Sequence, residues 1–263
     1  MKAYGVVFLT IIFIVIALTI ASMVTIFFAK KTQTKDIRFT EDIYVIQNAV
    51  EAADIYFKAS LDYAVFQAIY DVGKNGGLEK TWTKKPKESE VVSALKKTIV
   101  LNLNNYTKEK YIFFGKSVNL PTFIEDDIEV KLMDDGVSVS IKSGKSLYYC
   151  DTKTGEQGKV SMRFEKSVDI EKIYGIKFSK MLKKAYEIFD SLSKISLPSE
   201  KGKHLDGYPL SENDLDVDAV LHEIHPGNKI IKINITQKDF KIPVYVDKKV
   251  LYEPVTFTFF VDT

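Results

Sequence analysis

The longest uninterrupted stretch of apolar residues lies at the beginning of the chain. Residues 5–29 form a run of about 25 residues without a charged side chain, and lysines flank it on both sides (Lys2, Lys30 and Lys31). A helix of that length is about 37 Å long and therefore crosses a hydrocarbon core of about 30 Å. The pattern predicts a short N-terminal tail over 1–5 and a single transmembrane helix over 6–29, with the lipid bilayer as the first expected partner.

A cleaved secretory signal is the alternative interpretation of this run. Thr19-Ile20-Ala21 resembles a weak cleavage site. Cleaved signals have an apolar core of about 7–15 residues, whereas this run continues for eight residues beyond Ala21. The length therefore favours a permanent anchor.

Small residues recur at every fourth position of the apolar run. They are Ala17, Ala21, Thr25 and Ala29. This spacing places them on one helical face, where they allow a neighbouring membrane helix to approach closely. These four residues are the candidates for lateral packing, but small residues are common in any spanning helix, and the spacing alone favours that simpler interpretation.

Residues 36–77 carry a second helical pattern. Apolar and small residues repeat with heptad spacing and form what we call the heptad seam. It consists of Ile43, Ile46, Val50, Ala53, Phe57, Ser60, Ala64 and Gln67. Such a seam predicts a long amphipathic helix and homo- or hetero-oligomers through the N-terminal helices. The helix either continues the membrane helix as one rod or follows a hinge at 32–36 and packs on a sheet.

The pattern over 78–197 predicts the first part of a folded head. Apolar residues with helical spacing indicate a helix over 88–108 and another over 173–195. Between them, alternating segments over 111–170 predict a β-meander, and Asp135-Gly136 is a strong hairpin signal.

The second part of the head, 198–263, begins with a polar loop. Ser211 and Asp214 have the spacing of a helix start, which predicts a short helix through Leu221. Alternation then predicts strands over 229–236, 241–247 and 250–261. The whole chain is therefore expected to be α+β, with antiparallel sheet regions packed against helices.

Composition excludes one class of partner. The chain holds 37 basic and 35 acidic residues. Because Lys2 is the only charged residue among the first 29, 36 basic and 35 acidic residues remain in the rest of the chain. Nucleic-acid binding requires a basic excess on one face, so no nucleic-acid partner is expected. Cys150 is the only cysteine, which excludes an intramolecular disulfide.

The segment around His222 has the strongest claim to chemistry. Asp218, His222 and His225 lie close together in the sequence and form a candidate metal site. Zinc-binding helices of proteases space their histidines four residues apart, whereas these are three apart and Pro226 follows at once. The spacing favours a capped helix end at the surface over a metal site. We expect no catalytic residue and no cofactor.

Aromatic residues offer a candidate binding patch. Trp82 is the only tryptophan and stands in a lysine-rich linker, and Tyr148 and Tyr149 follow in the meander. An exposed patch of these residues would bind a surface polymer. For Trp82 itself, packing over the domain is the favoured interpretation, and a place at the membrane interface or binding of a sugar is the alternative.

The N-terminal region resembles the type IV pilins of archaea and bacteria. The resemblance is carried by Lys2, Gly5 and the run from Val6 to Ala29, and by Tyr63–Gly77 (YAVFQAIYDVGKNGG). It covers about 75 residues and implies cleavage of a leader after Gly5. Thr10 stands where that family usually has a glutamate.

Two arguments disagree about which side of the membrane holds the head. Basic residues just after the apolar run favour a cytoplasmic head (Lys30, Lys31, Lys35 and Arg38). The resemblance to pilins implies an extracytoplasmic head, and two N-glycosylation sequons occur, at Asn105 and Asn234. We expect a single-pass membrane protein with an extracytoplasmic head.

Three functions agree with these patterns. The first is a non-catalytic structural or interaction protein, as a pilin-like surface subunit or an accessory assembly component. The second is an anchored binding module for a surface polymer or a partner complex. The third is an anchored metallohydrolase that uses His222 and His225.

Overall fold

The computed structural model of the protein describes residues 18–20, 22, 35–78, 81–142, 144–155, 158–192, 214–225, 228–247 and 249–262. The chain divides into two compact units. The first unit comprises Met1–Ile55, Lys110–Asn119 and Leu147–Lys166. The second unit comprises Tyr56–Glu109, Leu120–Ser146 and Ser167–Thr263.

A long helix, α1, spans Lys35–Lys74 and contributes residues to both units. Its period of 3.6 residues places Ile46, Ala49, Val50 and Ala53 on one buried face. The helix ends in a turn at Asn75–Gly77, where Gly76 and Gly77 have φ of 61° and 87°. Residues with a side chain rarely adopt such backbone angles, so the two glycines explain why the helix ends there.

In the first unit, two pairs of strands accompany the beginning of α1. The strands β2 (Tyr111–Phe113) and β3 (Lys116–Val118) form an antiparallel hairpin. The strands β6 (Ser146–Gly155) and β7 (Gly158–Ser167) pair with each other. Backbone hydrogen bonds of 2.8 and 3.1 Å between Asn119 and Tyr148 join the two pairs.

The second unit is built on a four-stranded sheet with the order β1-β11-β10-β9. Its strands are β1 (Thr81–Trp82), β9 (Leu215–His225), β10 (Asn228–Val246) and β11 (Lys249–Asp262). The three long strands pair antiparallel and β1 pairs parallel with β11. Ile231, Ile233 and Ile235 are fully buried and alternate with polar residues, so the sheet has one core face.

Two helices and a smaller sheet complete the second unit. The helices are α2 (Glu88–Thr107) and α3 (Phe178–Ser191), and Glu125–Asp127 form one 3-10 turn. The smaller antiparallel sheet has the order β4-β5-β8, from β4 (Ile128–Leu132), β5 (Val137–Ile141) and β8 (Ile170–Tyr174). Every residue of the central strand β5 is buried.

Close packing between α1 and β11 depends on one glycine. A Cβ atom on Gly73 would lie 2.6 Å from the carbonyl oxygen of Thr256. Because that distance is shorter than any ordinary contact, only glycine lets the end of α1 approach the strand so closely.

The expected α+β class with antiparallel sheets and packed helices is confirmed. Across the described residues, no helix combines the length and the apolar character that a bilayer-spanning helix needs. Apart from residues 18–20 and 22, the apolar run lies outside the described residues, so the transmembrane helix stays a prediction. The same holds for lateral packing through Ala17, Ala21, Thr25 and Ala29 and for cleavage after Gly5.

Three details of the predicted head are wrong. The helix expected from residue 173 begins at Phe178, because Ile170–Tyr174 pair with β5 as a strand. The short helix expected through Leu221 is absent over 214–221, where β9 pairs with β10. The single meander expected over 111–170 is divided among three separate sheets.

The heptad seam is buried within the chain itself. The exposed fraction is 6% or less at Ile46, Val50, Ala53, Phe57, Ser60 and Ala64. An oligomer through these side chains would have to displace the protein's own core. Homo- or hetero-oligomerisation through the N-terminal helices stays a prediction, but this part of the seam is not a free surface.

Candidate binding surface

Tyrosine side chains from separate segments of the second unit gather at its surface. On α1, Tyr56, Tyr63 and Tyr70 are spaced by seven residues and therefore share one helical face. Tyr56 is 36% exposed and Tyr63 is 39% exposed. The Tyr70 hydroxyl accepts a hydrogen bond of 2.6 Å from Lys74 Nζ, which holds that amine beside the ring.

The end of α2 adds a fourth tyrosine. Tyr56 Oη donates a hydrogen bond of 2.9 Å to the carbonyl oxygen of Tyr106. Burial raises the pKa of Tyr106, and the nearby phenol groups of Tyr63, Tyr56 and Tyr245 raise this pKa further. The hydrogen bond places Tyr106 beside Tyr56, on the helical face that Tyr63 shares.

The β10–β11 hairpin brings two more tyrosines. Beyond Gln237, β10 pairs with β11 alone among the described strands, so one edge of β10 lacks a strand partner there. On that edge, the backbone N–H of Tyr245 donates a hydrogen bond of 2.8 Å to Gln67 Oε1 of α1. Because Tyr252 pairs with Pro243, two residues from Tyr245, both tyrosines lie on the same face of the hairpin.

We call this region the tyrosine surface. It comprises Tyr56, Tyr63, Tyr70, Tyr106, Tyr245 and Tyr252. The two hairpin tyrosines are the most open, with 56% and 60% of the side chain exposed, and Val250 between them is 53% exposed.

The chemistry of the tyrosine surface is that of binding. Tyrosine offers a large apolar ring with a hydroxyl that donates and accepts hydrogen bonds, and it has few rotatable bonds to restrict on binding. On α1, next to Tyr70, Asp71 accepts a hydrogen bond of 3.0 Å from Gln67 Nε2. Burial raises the pKa of Asp71, an effect that Gln67 and Lys74 only partly offset.

The candidate metal residues lie on strand β9 instead of a helix. Asp218 stands opposite Asn234, and His222 falls where the register between β9 and β10 shifts. Four residues along a strand span about 13 Å, so the Asp218 and His222 backbones are much farther apart than on a helix. The His222 ring lies 5.1 Å from that of Phe260, and His225 ends the strand.

No group of three or more metal-binding side chains is arranged around a common point in the part of the chain that the structure describes. The expected role of the histidines as a helix end is also wrong, because this segment is extended.

The favoured interpretation of Trp82 as a packed residue is confirmed, and the alternative of an exposed aromatic patch around it is wrong. Trp82 is 2% exposed, and its Nε1–H donates a hydrogen bond of 3.0 Å to the carbonyl oxygen of Gly76. Its ring stacks on Phe259 with 4.2 Å between centroids. Tyr149 is 4% exposed, so only Tyr148, at 42%, faces solvent. Trp82 is therefore a core residue.

The two sequons differ in accessibility. Asn105 is exposed on α2, although the Thr107 hydroxyl of the same sequon is buried. Asn234 is half-buried in β10, and its Oδ1 accepts a hydrogen bond of 2.9 Å from Thr258. Of the two, Asn105 is the more accessible.

The first unit contains a cavity of about 400 Å³. It is lined by Gln47, Val50, Glu51, Phe164, Glu165 and Lys166. Lys166 Nζ lies 2.6 Å from Glu51 Oε2 and 2.8 Å from Asp54 Oδ2. Burial lowers the pKa of Lys166, but the hydrogen bonds to Asp54 and Glu51 outweigh this effect and raise it overall. A charged, paired amine is not a catalytic base, so the cavity does not suggest a reaction.

Comparisons with known proteins identify neither a family nor a function for the chain. No protein-family model, no curated protein and no solved structure matches the chain.

Proposed function

We propose that this chain is a membrane-anchored, non-catalytic interaction protein that holds a protein partner on its tyrosine surface. In this proposal the head is extracytoplasmic, and the protein acts as a pilin-like surface or accessory assembly component. The observation that carries the proposal is a pair of hydrogen bonds between distant segments. One places Tyr106 beside Tyr56, and the other places Tyr245 beside Gln67, one helical turn from the exposed Tyr63.

The composition of the tyrosine surface favours a protein partner. Protein interfaces are enriched in tyrosine and depleted of charged residues at their centre. The exposed tyrosines on α1 and on the β10–β11 hairpin fit this description, and Tyr245 is held in place through its backbone by Gln67. A positioned backbone reduces the entropy lost on binding.

The burial of residues in the heptad seam also favours the tyrosine surface as the site that binds the partner. Seam residues such as Phe57 and Ala64 are fully buried inside the chain. A partner of the described head therefore does not bind these seam residues, whereas the tyrosine surface offers exposed aromatic rings.

Crosslinking of the full-length protein in its native membranes tests the proposal. The variant Tyr63→Ser/Tyr245→Ser/Tyr252→Ser removes exposed rings of the tyrosine surface. The matched control, Tyr44→Ser/Tyr148→Ser, removes rings of the first unit that are 57% and 42% exposed. We expect a crosslinked complex with the native protein and the control, and its loss in the triple variant.

Equal crosslinking of all three proteins, or only monomers in each, would overturn the proposal. Binding of a surface polymer instead predicts the same crosslinking in all three proteins. In that case only the triple variant would lose retention on the isolated cell envelope.

A further inference from the structure

The hairpin of strands β2 and β3 has an unusual turn. Phe114 and Gly115 form the two-residue connection, with φ of 45° and 75°. Positive φ at both positions is what a type I′ turn requires, and asparagine or glycine normally fills the first position. A bulky residue such as Phe114 is strained there, so the turn itself gives no reason for a phenylalanine.

The same turn exposes apolar side chains to solvent. Ile112 is 70% exposed and Phe114 is 47% exposed. The rings of Phe113 and Phe114 contact each other edge to face, with 4.7 Å between centroids. Exposed apolar surface at a strained position weakens folding in water, which points to a role in contact with an apolar medium.

This hairpin lies beside the beginning of helix α1. Lys116 Nζ is 3.1 Å from Asp42 Oδ1, and both residues belong to the first unit. Only 12 residues lie between Ala29, where the apolar run ends, and Asp42. Even a fully extended connection of that length spans at most about 45 Å, so it keeps the hairpin within reach of the bilayer surface.

We infer that the tip of this hairpin, formed by Ile112, Phe113 and Phe114, inserts into the interface of the lipid bilayer. This inference rests on the proposed membrane anchor, because residues 6–29 are what keep the hairpin near the lipid. Aromatic and aliphatic side chains partition into the headgroup boundary. The chain then contacts the membrane twice, which limits how the first unit tilts at its surface.

Lipid is favoured over a protein partner at this tip. The apolar contact is confined to three side chains at the end of a two-stranded hairpin, which is far smaller than a stable protein interface. Insertion of a few apolar side chains is sufficient for the lipid contact, because the anchor already supplies the attachment.

Lipid quenching of a fluorescent label tests the inference on the full-length protein. Cys150 is the only cysteine and is exposed, so a Cys150→Ser background permits single labelling. The label is placed at Phe114→Cys and, as a control, at Val250→Cys, which is 53% exposed in the second unit. Each protein is reconstituted in vesicles of phosphatidylcholine and phosphatidylglycerol with brominated acyl chains.

We expect brominated lipid to reduce the emission at position 114 at least about twofold and to leave position 250 unchanged. A second series carries the label at Ile112→Cys, with either the native Phe114 or Phe114→Asn. Asparagine tolerates the backbone angles of this turn and therefore keeps the hairpin folded. Quenching at 112 should decrease about twofold in the asparagine variant.

Two contrary results separate the inference from the proposed anchor. Protein that resists carbonate extraction but shows no quenching at 114 overturns the inference and leaves the anchor intact. Protein that carbonate extracts, with no quenching at 114, overturns the anchor and the inference together. A label that is shielded from aqueous iodide but insensitive to brominated lipid indicates a protein contact and also overturns the inference.

Discussion

Gln67 and Tyr245 are joined by a hydrogen bond of 2.8 Å, in which the backbone N–H of Tyr245 donates to the side-chain oxygen of Gln67. The bond satisfies an N–H on the edge of β10 that no neighbouring described strand pairs with. It also fixes the β10–β11 hairpin beside helix α1, and thereby Tyr245 beside Tyr63.

Replacement of Gln67 by leucine should loosen the tyrosine surface. The Gln67→Leu variant leaves the Tyr245 N–H without its acceptor, which costs about 1–2 kcal/mol of stability. We expect faster hydrogen exchange at the Tyr245 amide, measured by NMR. The amide of Ile233, in the centre of the sheet, serves as the control and should exchange as before. Unchanged exchange at Tyr245 would mean that Gln67 does not hold the hairpin.

The pH dependence of stability should show the effect of Asp214. Hydrogen bonds from Lys177 Nζ, at 2.7 Å, and Lys180 Nζ, at 3.2 Å, lower the pKa of Asp214 from its ordinary value of 3.8 to about 2. A carboxyl whose pKa is lower in the folded state stabilises the fold above the unfolded-state pKa. This stability should be lost progressively as the pH falls from about 4 to about 2.

Asp214→Asn tests this directly. Because the group is partly exposed, we expect a loss of about 1 kcal/mol at pH 7, measured by urea unfolding of the detergent-solubilised protein. The variant and the native protein should converge in stability near pH 2. A constant difference between them from pH 7 to pH 2 would contradict the assigned role of the carboxylate.

Because α1 lies so close to β11 at Gly73, we predict that a side chain at this position strongly lowers stability. In Gly73→Ala the new methyl group would lie 2.6 Å from the Thr256 carbonyl oxygen, so the helix or the strand has to move. We expect a loss of about 1–3 kcal/mol in thermal unfolding. Gly175→Ala is the matched control, since no atom lies within 4 Å of its added Cβ, and it should be neutral or slightly stabilising. Equal effects in the two variants would argue against the close contact.

Unlike the substitution of Gly73, a substitution that relieves the strain at Phe114 should raise stability. Phe114→Asn places a residue that tolerates positive φ where φ is 45°. We expect the free energy of unfolding in detergent to rise by about 1 kcal/mol, because asparagine relieves the strain. A decrease in stability would show that Phe114 contributes to folding. Ser117→Ala, on the strand β3 of the same hairpin, should change little.

Local sequence patterns predicted much of the fold. The helix over 88–108 was identified from Val91, Leu95, Ile99 and Leu103, which recur at helical spacing and are all fully buried in α2. By contrast, the cap-like spacing of Ser211 and Asp214 predicted a helix where β9 is extended. The alternation of Leu215, Ala219 and Leu221 with polar residues indicates a strand, and pairing with β10 determines the outcome.

The tyrosine surface could be predicted only in part. The seven-residue spacing of Tyr56, Tyr63 and Tyr70 is visible in the sequence and places the three on one helical face. The positions of Tyr106 and Tyr245 beside them depend on contacts between distant segments, which no local pattern contains. The burial of Trp82, which is 2% exposed, was predicted in spite of its lysine-rich sequence context, because a single aromatic residue is more often packed than exposed.

Photo-crosslinking from a single position of the tyrosine surface tests its role most directly. A photoreactive amino acid replaces Tyr252, which is 60% exposed, in the full-length protein within its native membrane, and another replaces the exposed Tyr148 as the reference. We predict a covalent adduct with a protein from position 252 and none from position 148. The absence of a protein adduct at 252, or equal adducts from both positions, would contradict the assignment of this surface to a protein partner.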